Sequence, residues 1–303
     1  HIMTVAETIK KITRDHLTKQ NGLALGQCLT AVGWVGGTVP ELKQEDGLVE
    51  LSMADVAGGG IATGVALAGR RPIYIVRYQG FQWYNAASIV NYAAKSKEMW
   101  GIPCPVFVRS IAMDGGVGPV ASGSHHSIYT RMPGIPVCAP MTPLEYQSVW
   151  DYFMTHDDPI YVSEHRKSFS IDYEMKDVIH ESADVTLLSI SSTRLNAIEA
   201  AERLKKEGIV CNIIHLLWLK PFKVTDAMIK ALSTSRYGGI VTDGDFQNGV
   251  AKSIAFDIIQ NTQSKMRVLG LEERTAGFAP NFDNLPPTPD RICRFIKDMI
   301  SSS

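Results

Sequence analysis

The sequence predicts an α/β protein of two domains, each a mostly parallel sheet flanked by helices. Three observations carry this. Short β-rich runs alternate with helical stretches along the chain. The alternation breaks at a polar stretch over 165–183 and then restarts. The length of 303 residues is enough for two complete cores. The expected domains span 4–175 and 183–303.

In chain order, "RRPIYIVRY" (70–78) reads as a buried strand and "YNAASIVNYAAKSKEMW" (84–100) as a helix with small residues on one face. "PVFVRSIA" (105–112) reads as a strand. A Gly/Ser-rich loop follows over 113–127, long enough to suggest a functional role. "IPVCAP" (135–140) is the next expected strand. "TPLEYQSVWDYFMTH" (142–156) is a helix with Thr142 as N-cap and Pro143 at its first position. "PIYVSE" (159–164) closes the first half as a strand.

In the second half, strands are expected over 184–191, 209–219 and 238–244. They alternate with helices over 192–208, 224–235 and 249–260, the second opening near Thr225 or Asp226. A helix over 289–300 ends the chain. Such alternation belongs to parallel sheets.

The bulk numbers exclude several classes. With 45% hydrophobic and 20% charged residues the chain has a soluble globular composition. A net charge of −1 gives no reason to expect nucleic acid or an anionic membrane as partner. No apolar run reaches the roughly 18 residues of a membrane span, and the start lacks a signal-peptide pattern. His1-Ile2-Met3 reads as a cloning remnant. Cys28, Cys104, Cys138, Cys211 and Cys293 lie far apart with no Cys-x-x-Cys pair, as expected of reduced thiols in a cytoplasm with no structural zinc.

The stretch "MADVAGGGIATGVALAG" (53–69) poses the first functional question. Gly58, Gly60 and Gly64 are spaced one residue too wide for a dinucleotide fingerprint. The following strand carries no acid where a ribose would sit, and no Gly-Lys-Ser/Thr follows for a phosphate loop. The glycines instead suit close packing of a helix against a neighbour. Asp55 at the head of this helix is either a cap for its free amides or a carboxylate aimed into a pocket.

Asp55 to Gly69, followed by "RPIYIVRYQGFQWYNAASIVNYAAK", resembles the pyrimidine-binding domain of thiamine-diphosphate enzymes of the transketolase and 2-oxo acid dehydrogenase type. There a Glu stands nine residues before the glycine matching Gly64, and three aromatics follow at i, i+3 and i+6, here Tyr78, Phe81 and Tyr84. "HHSIYTRMPGIPVCAPMTPLEYQSVWDYFMTHDDPIYVSEHR" is similar to the beta subunit of the dehydrogenases' decarboxylase component. "ADVTLLSISSTRLNAIEAAERLKKEGIVCNIIHLLWLKPF" is similar to the family's C-terminal domain. The likeness runs over roughly residues 22 to 300.

The resemblance implies a cofactor site shared between subunits. The diphosphate and its Mg2+ sit on a separate domain marked by Gly-Asp-Gly and a later Asn. "TDGDFQNG" (242–249) scrambles that order and lies in the other domain, so no metal site is expected on this chain. The implied protein is the beta-type subunit of a two-subunit enzyme, nearest to the 2-oxo acid dehydrogenase component. Its partner is an alpha-type subunit, with α2β2 assembly and self-association as β2, acting on a small-molecule substrate. The alternatives are the C-terminal subunit of a split transketolase, or a non-catalytic regulatory or scaffold subunit.

By the same resemblance, Asp55 is the acid that binds the aminopyrimidine and favours its imino form, which takes the proton from the thiazolium carbon. A carboxylate in a dry site suits this role. Tyr78, Phe81 and Tyr84 hold the pyrimidine by stacking. His125 and His126 stand where the dehydrogenases have Gln-His-Ser, whose His handles protons near the reacting carbon; His126, followed by Ser127, matches better. The sequence departs from the family at three points. Asp55 replaces the Glu, withdrawing the carboxylate by roughly 1.5 Å, and such displacements can change rates about a hundredfold per ångström. Gln27 stands where the dehydrogenase pattern Gly-Glu-Asp-Val has its Glu, ahead of Gly36-Gly37-Thr38-Val39, which resembles the family's Gly-Gly-Val. Glu164, before His165, stands where transketolases have a phosphate-binding Arg.

Overall fold

The computed structural model describes residues 2–303. A seven-stranded sheet contains β1 (Leu23–Gly26), β2 (Leu48–Glu50), β3 (Pro72–Val76), β4 (Phe107–Ala112), β5 (Val137–Cys138) and β6 (Ile160–His165). Its seventh strand comes from further along the chain. A four-stranded sheet contains β7 (Val185–Ile190), β8 (Cys211–Leu216), β10 (Gly239–Phe246) and β11 (Met266–Leu271), while β9 (Trp218–Lys220) returns to the first sheet. The orders are β2-β1-β3-β4-β6-β5-β9 and β11-β10-β7-β8. All pairings are parallel except β5 with β9. The α/β architecture of two helix-flanked sheets is as the alternation predicts.

Strands β3, β4, β6 and β7 are buried along their whole length, which their near-continuous apolar runs anticipate for a sheet covered on both faces. Helices α1 (Val5–Lys19) and α4 (Pro143–Met154) cover one face of the large sheet through Ile9, Trp150 and Phe153. Helices α2 (Asp55–Leu67) and α3 (Gln82–Asn91) cover the other through Ala62, Ala66 and Ile89. That apolar cluster continues into the second half through Leu188, Ile190 and Val241, so the two sheets share a core. Helices α5 (Thr193–Lys205), α6 (Asp226–Ser233), α7 (Val250–Thr262) and α8 (Pro289–Ser301) flank the small sheet.

Local chemistry sets several boundaries. Thr142 accepts from Glu145 N and Pro143 opens α4. Thr225 accepts from Met228 N and starts α6. The helix expected over 84–100 is divided: α3 ends at Asn91, Tyr92 leaves helical geometry (φ −122°, ψ −59°), and a short helix resumes at Ser96. After β1 the chain enters a left-handed turn in which Val32, Trp34 and Val35 have φ of +52° to +57°. Each such non-glycine residue costs about 1–2 kcal/mol.

Two glycines of α2, Gly58 and Gly59, pack closely, whereas a Cβ on Gly60 would meet only Ser88 Oγ at 3.6 Å. A Cβ on Gly59 would lie 2.3 Å from the carbonyl oxygen of Asn85 in α3. One on Gly58 would meet the Tyr74 hydroxyl at 2.4 Å. Gly64 has open space.

Candidate functional site

In an open α/β sheet, ligands bind beyond the carboxyl ends of the strands. There, Gln27 and Cys28 follow β1, Arg77 and Tyr78 follow β3, and Asp55 opens α2. Together with Phe81, Tyr74 and Asn85 they line a cavity of about 180 Å³. Asp55 is the first helical residue and is half-buried, while Ala54 occupies the cap position without a side-chain bond. The carboxylate accepts a hydrogen bond from Gln27 Nε2 at 3.1 Å. The amide at position 27 therefore steadies the shorter acid, where a Glu would set a second carboxylate against it.

The cavity wall is fixed by a polar pair. Tyr74 Oη donates to Asn85 Oδ1 at 3.0 Å, and Asn85 Nδ2 donates to Phe81 O at 3.0 Å. Burial, with the Asp55 charge adding, pushes the Tyr74 phenol well above its ordinary pKa, so it remains a donor. The Tyr78 and Phe81 rings lie 6.2 Å apart, tilted by 47°. The structure thus brings together Asp55, Tyr78 and Phe81. Tyr84 is elsewhere: in the first turn of α3 it is 60% exposed and does not line the cavity.

The two histidines do not line this cavity either, and their surroundings differ sharply. Gln79 and Gln82, between the aromatics, hold the loop: His125 N donates to Gln79 Oε1 at 2.7 Å and Gln82 Nε2 donates to His125 O at 2.8 Å. The His125 imidazole lies with Trp83, ring centroids 5.1 Å apart. Burial, helped by neighbouring His126, lowers its pKa to about 4, leaving it neutral at neutral pH. His126 is 0% exposed and both ring nitrogens are engaged. Nδ1 meets Ser163 Oγ at 2.8 Å, and Nε2 meets the Asp243 carboxylate at 2.9 and 3.0 Å. Burial disfavours the imidazolium, yet Asp243, with Asp245 behind it, carries the pKa above its ordinary value. His126 is therefore a clamp between the two halves of the chain.

Asp243 and Asp245 were missed by the sequence reading, which set "TDGDFQNG" aside. A signal was present: acids inside an apolar strand must find partners when buried. Asp245 accepts from Ser127 N at 2.8 Å and from Phe246 N at 2.6 Å. Ligand atoms of His126, Asp243 and Asp245 lie within 4.8 Å of one another, close enough to hold a cation. Asp243 makes the His126 imidazole more basic, so a cation bound there would have to displace the Nε2 proton.

Glu164 is also internal. It binds Arg109 Nε and Nη2 at 2.7 and 2.8 Å and accepts from Tyr146 Oη at 2.6 Å, with both charged side chains 1% exposed. His165 Nε2 meets Asp114 Oδ1 at 2.8 Å. Asp114 in turn accepts from Lys167 Nζ and from Ser192 Oγ, tying the 113–127 loop to the second half.

The pattern defining the transketolase pyrimidine-binding domain matches residues 19–170, and that of the transketolase C-terminal domain matches 175–292. The chain is 26% identical to the 2-oxoisovalerate dehydrogenase subunit beta of Bacillus subtilis, covering 96% of each chain. It is 24% identical to the pyruvate dehydrogenase E1 component subunit beta of Staphylococcus epidermidis, over 91% of this chain and 89% of the relative. Among solved structures, it resembles in fold a split-gene transketolase described as an inactive beta4 tetramer, with a TM-score of 0.75, 14% identity and 99% coverage of both chains. It also resembles the Campylobacter jejuni transketolase, with a TM-score of 0.73 and 16% identity, covering 98% of this chain and 46% of that one.

Proposed function

This chain belongs to the family built from transketolase pyrimidine-binding and C-terminal domains, and on that premise we propose that it is the beta-type subunit of a two-subunit thiamine-diphosphate enzyme. The nearest activity is decarboxylation of a 2-oxo acid, a reading supported by relatives named as beta subunits of pyruvate and 2-oxoisovalerate dehydrogenases. One observation carries this reading: a half-buried acid, Asp55, and two aromatic rings, Tyr78 and Phe81, share one cavity at the carboxyl edge of a parallel sheet.

The residues fit the pyrimidine end of the cofactor. Apolar ring faces suit a flat heterocycle, and a carboxylate with one oxygen engaged by Gln27 keeps its other oxygen for a ring donor. When bound, thiamine diphosphate supplies the carbon nucleophile. This chain holds the aminopyrimidine at Asp55, stacks it against Tyr78 and Phe81, and excludes water with the wall of Tyr74 and Asn85. The diphosphate and Mg2+ belong to an alpha-type partner in an α2β2 assembly. The exposed Val56, Ile61 and Leu67 of α2 support an assembly surface there, including a β2 contact. The fold likeness to a split-gene transketolase, end to end, favours a transketolase subunit as the second reading.

The test is co-expression with the candidate partner, followed by hydrogen exchange at the thiazolium carbon in wild type and Asp55→Asn. Removing the charge slows exchange by about a hundredfold or more, the scale of a single preorganised electrostatic group, without changing the melting temperature. Exchange at the wild-type rate in the assembled variant would reduce Asp55 to a structural residue and leave a scaffold subunit. Asp55→Glu tests the shortened acid: a faster exchange identifies a weakened family site, a slower one a pocket rebuilt around Asp.

A further inference from the structure

Arg77 lines the same cavity as Asp55, Tyr78 and Phe81, and the proposed function makes no use of it. Its Nη1 donates to Cys28 O at 3.1 Å. Its Nε and Nη2 are buried and have no hydrogen-bond partner. These two nitrogens form one edge of the guanidinium, the parallel pair of donors that matches two oxygens of an anion. The chain itself shows that use of the edge: Arg109 binds both Glu164 oxygens through Nε and Nη2. At Arg77 the edge is organised in the same way, with the planar group anchored by Cys28 on its far nitrogen and lying 5.8 Å from the Tyr78 ring.

A buried cationic edge without an acceptor is costly and calls for a specific reason. Asp55 does not supply one: it bonds to Gln27, and neither of these two Arg77 nitrogens has an acceptor within hydrogen-bond reach. We propose that Arg77 is an anion seat that binds a carboxylate or phosphate group of the small-molecule substrate beside the pyrimidine pocket. Met53, 78% exposed, adds a flexible side chain to the lining of the same cavity. The seat rests on the proposed function only in assigning its occupant to the substrate. It makes that substrate anionic at a group placed by this subunit rather than by its partner.

The test is calorimetric titration of the chain with inorganic phosphate and, separately, with acetate, at fixed ionic strength. Wild type binds at least one of the two, phosphate alone marking a phosphorylated substrate and acetate alone a carboxylate. Arg77→Gln and Arg77→Lys both weaken that binding at least about tenfold, the size of one charge-assisted pair. The Lys variant keeps the charge but not the paired donors, and it carries the test alone should Arg77→Gln fail to fold. Equal binding by wild type and the variants, or no binding of either anion by wild type, overturns the seat. Thiazolium exchange in Asp55→Asn needs no anion at Arg77, so either reading can fail without the other.

Discussion

Asp243→Asn isolates the clamp between the two halves of the chain. In the wild type both side chains are fully buried and His126 Nε2 lies 2.9 Å from Asp243 Oδ1. The imidazole pKa is raised in the folded state, against about 6.5 in the unfolded chain. The stabilisation is therefore complete below pH 6.5 and is lost as pH rises through the folded value. His16, His125 and His215, all lowered by burial, bind a proton only on unfolding and so act against this slope around pH 6.5 and below, equally in wild type and variant. One proton difference changes stability by at most about 1.4 kcal/mol per pH unit. At about 2–4 °C per kcal/mol for a chain of this size class, the apparent Tm falls by up to about 3–6 °C per unit above pH 6.5. Asparagine keeps the shape and one acceptor oxygen but removes the charge that holds the proton. Asp245, whose own pKa is raised by burial, faces the same imidazole and preserves a smaller slope. Circular-dichroism melts of the full chain between pH 5.5 and 8.5 at constant salt read both slopes. The variant should be less stable than wild type at pH 6, and the gap should narrow as pH rises. Parallel curves across the range would refute a His126 titration moved into this window by Asp243.

Two further outcomes follow from the site and its scaffold. Phe81→Ala removes one stacking face, worth on the order of 1 kcal/mol beyond buried area; cofactor affinity in the assembled enzyme should fall several-fold by calorimetry, and an unchanged affinity would make Phe81 a core residue. Gly59→Ala sets a methyl 2.3 Å from the Asn85 carbonyl oxygen, so α2 and α3 must separate at a cost of about 1–3 kcal/mol. An unaltered denaturant midpoint would contradict that contact.

The features legible in the sequence are those whose physics is local. Buried strands announce themselves by their apolar runs. Thr142-Pro143 and Thr225 cap their helices within three residues, and the spacing from Asp55 to Tyr78 and Phe81 stays within one helix-strand-turn unit. Short strands such as Leu48–Glu50 and Leu23–Gly26 carry too few residues to show a period. The left-handed turn at 32–36 violates every local preference except at its glycines, so only packing around it can hold it.

The resemblance of residues 53–84 to a known family pointed to the pocket. It could not say that Tyr84 stands outside, because which face of α3 meets solvent depends on what α3 packs against. Nor could it connect His126 to Asp243, 117 positions away, or show that Gln27 meets Asp55 and that one edge of Arg77 is unpaired. By itself, the chain determined its alternation of strands and helices, its caps, and the spacing of the acid that opens α2 from the aromatics that follow β3. Only the tertiary structure decided which charged groups were paired. Buried charges seek partners through space rather than along the chain, and the two sheets had to close on each other before His126 and Asp243 could meet.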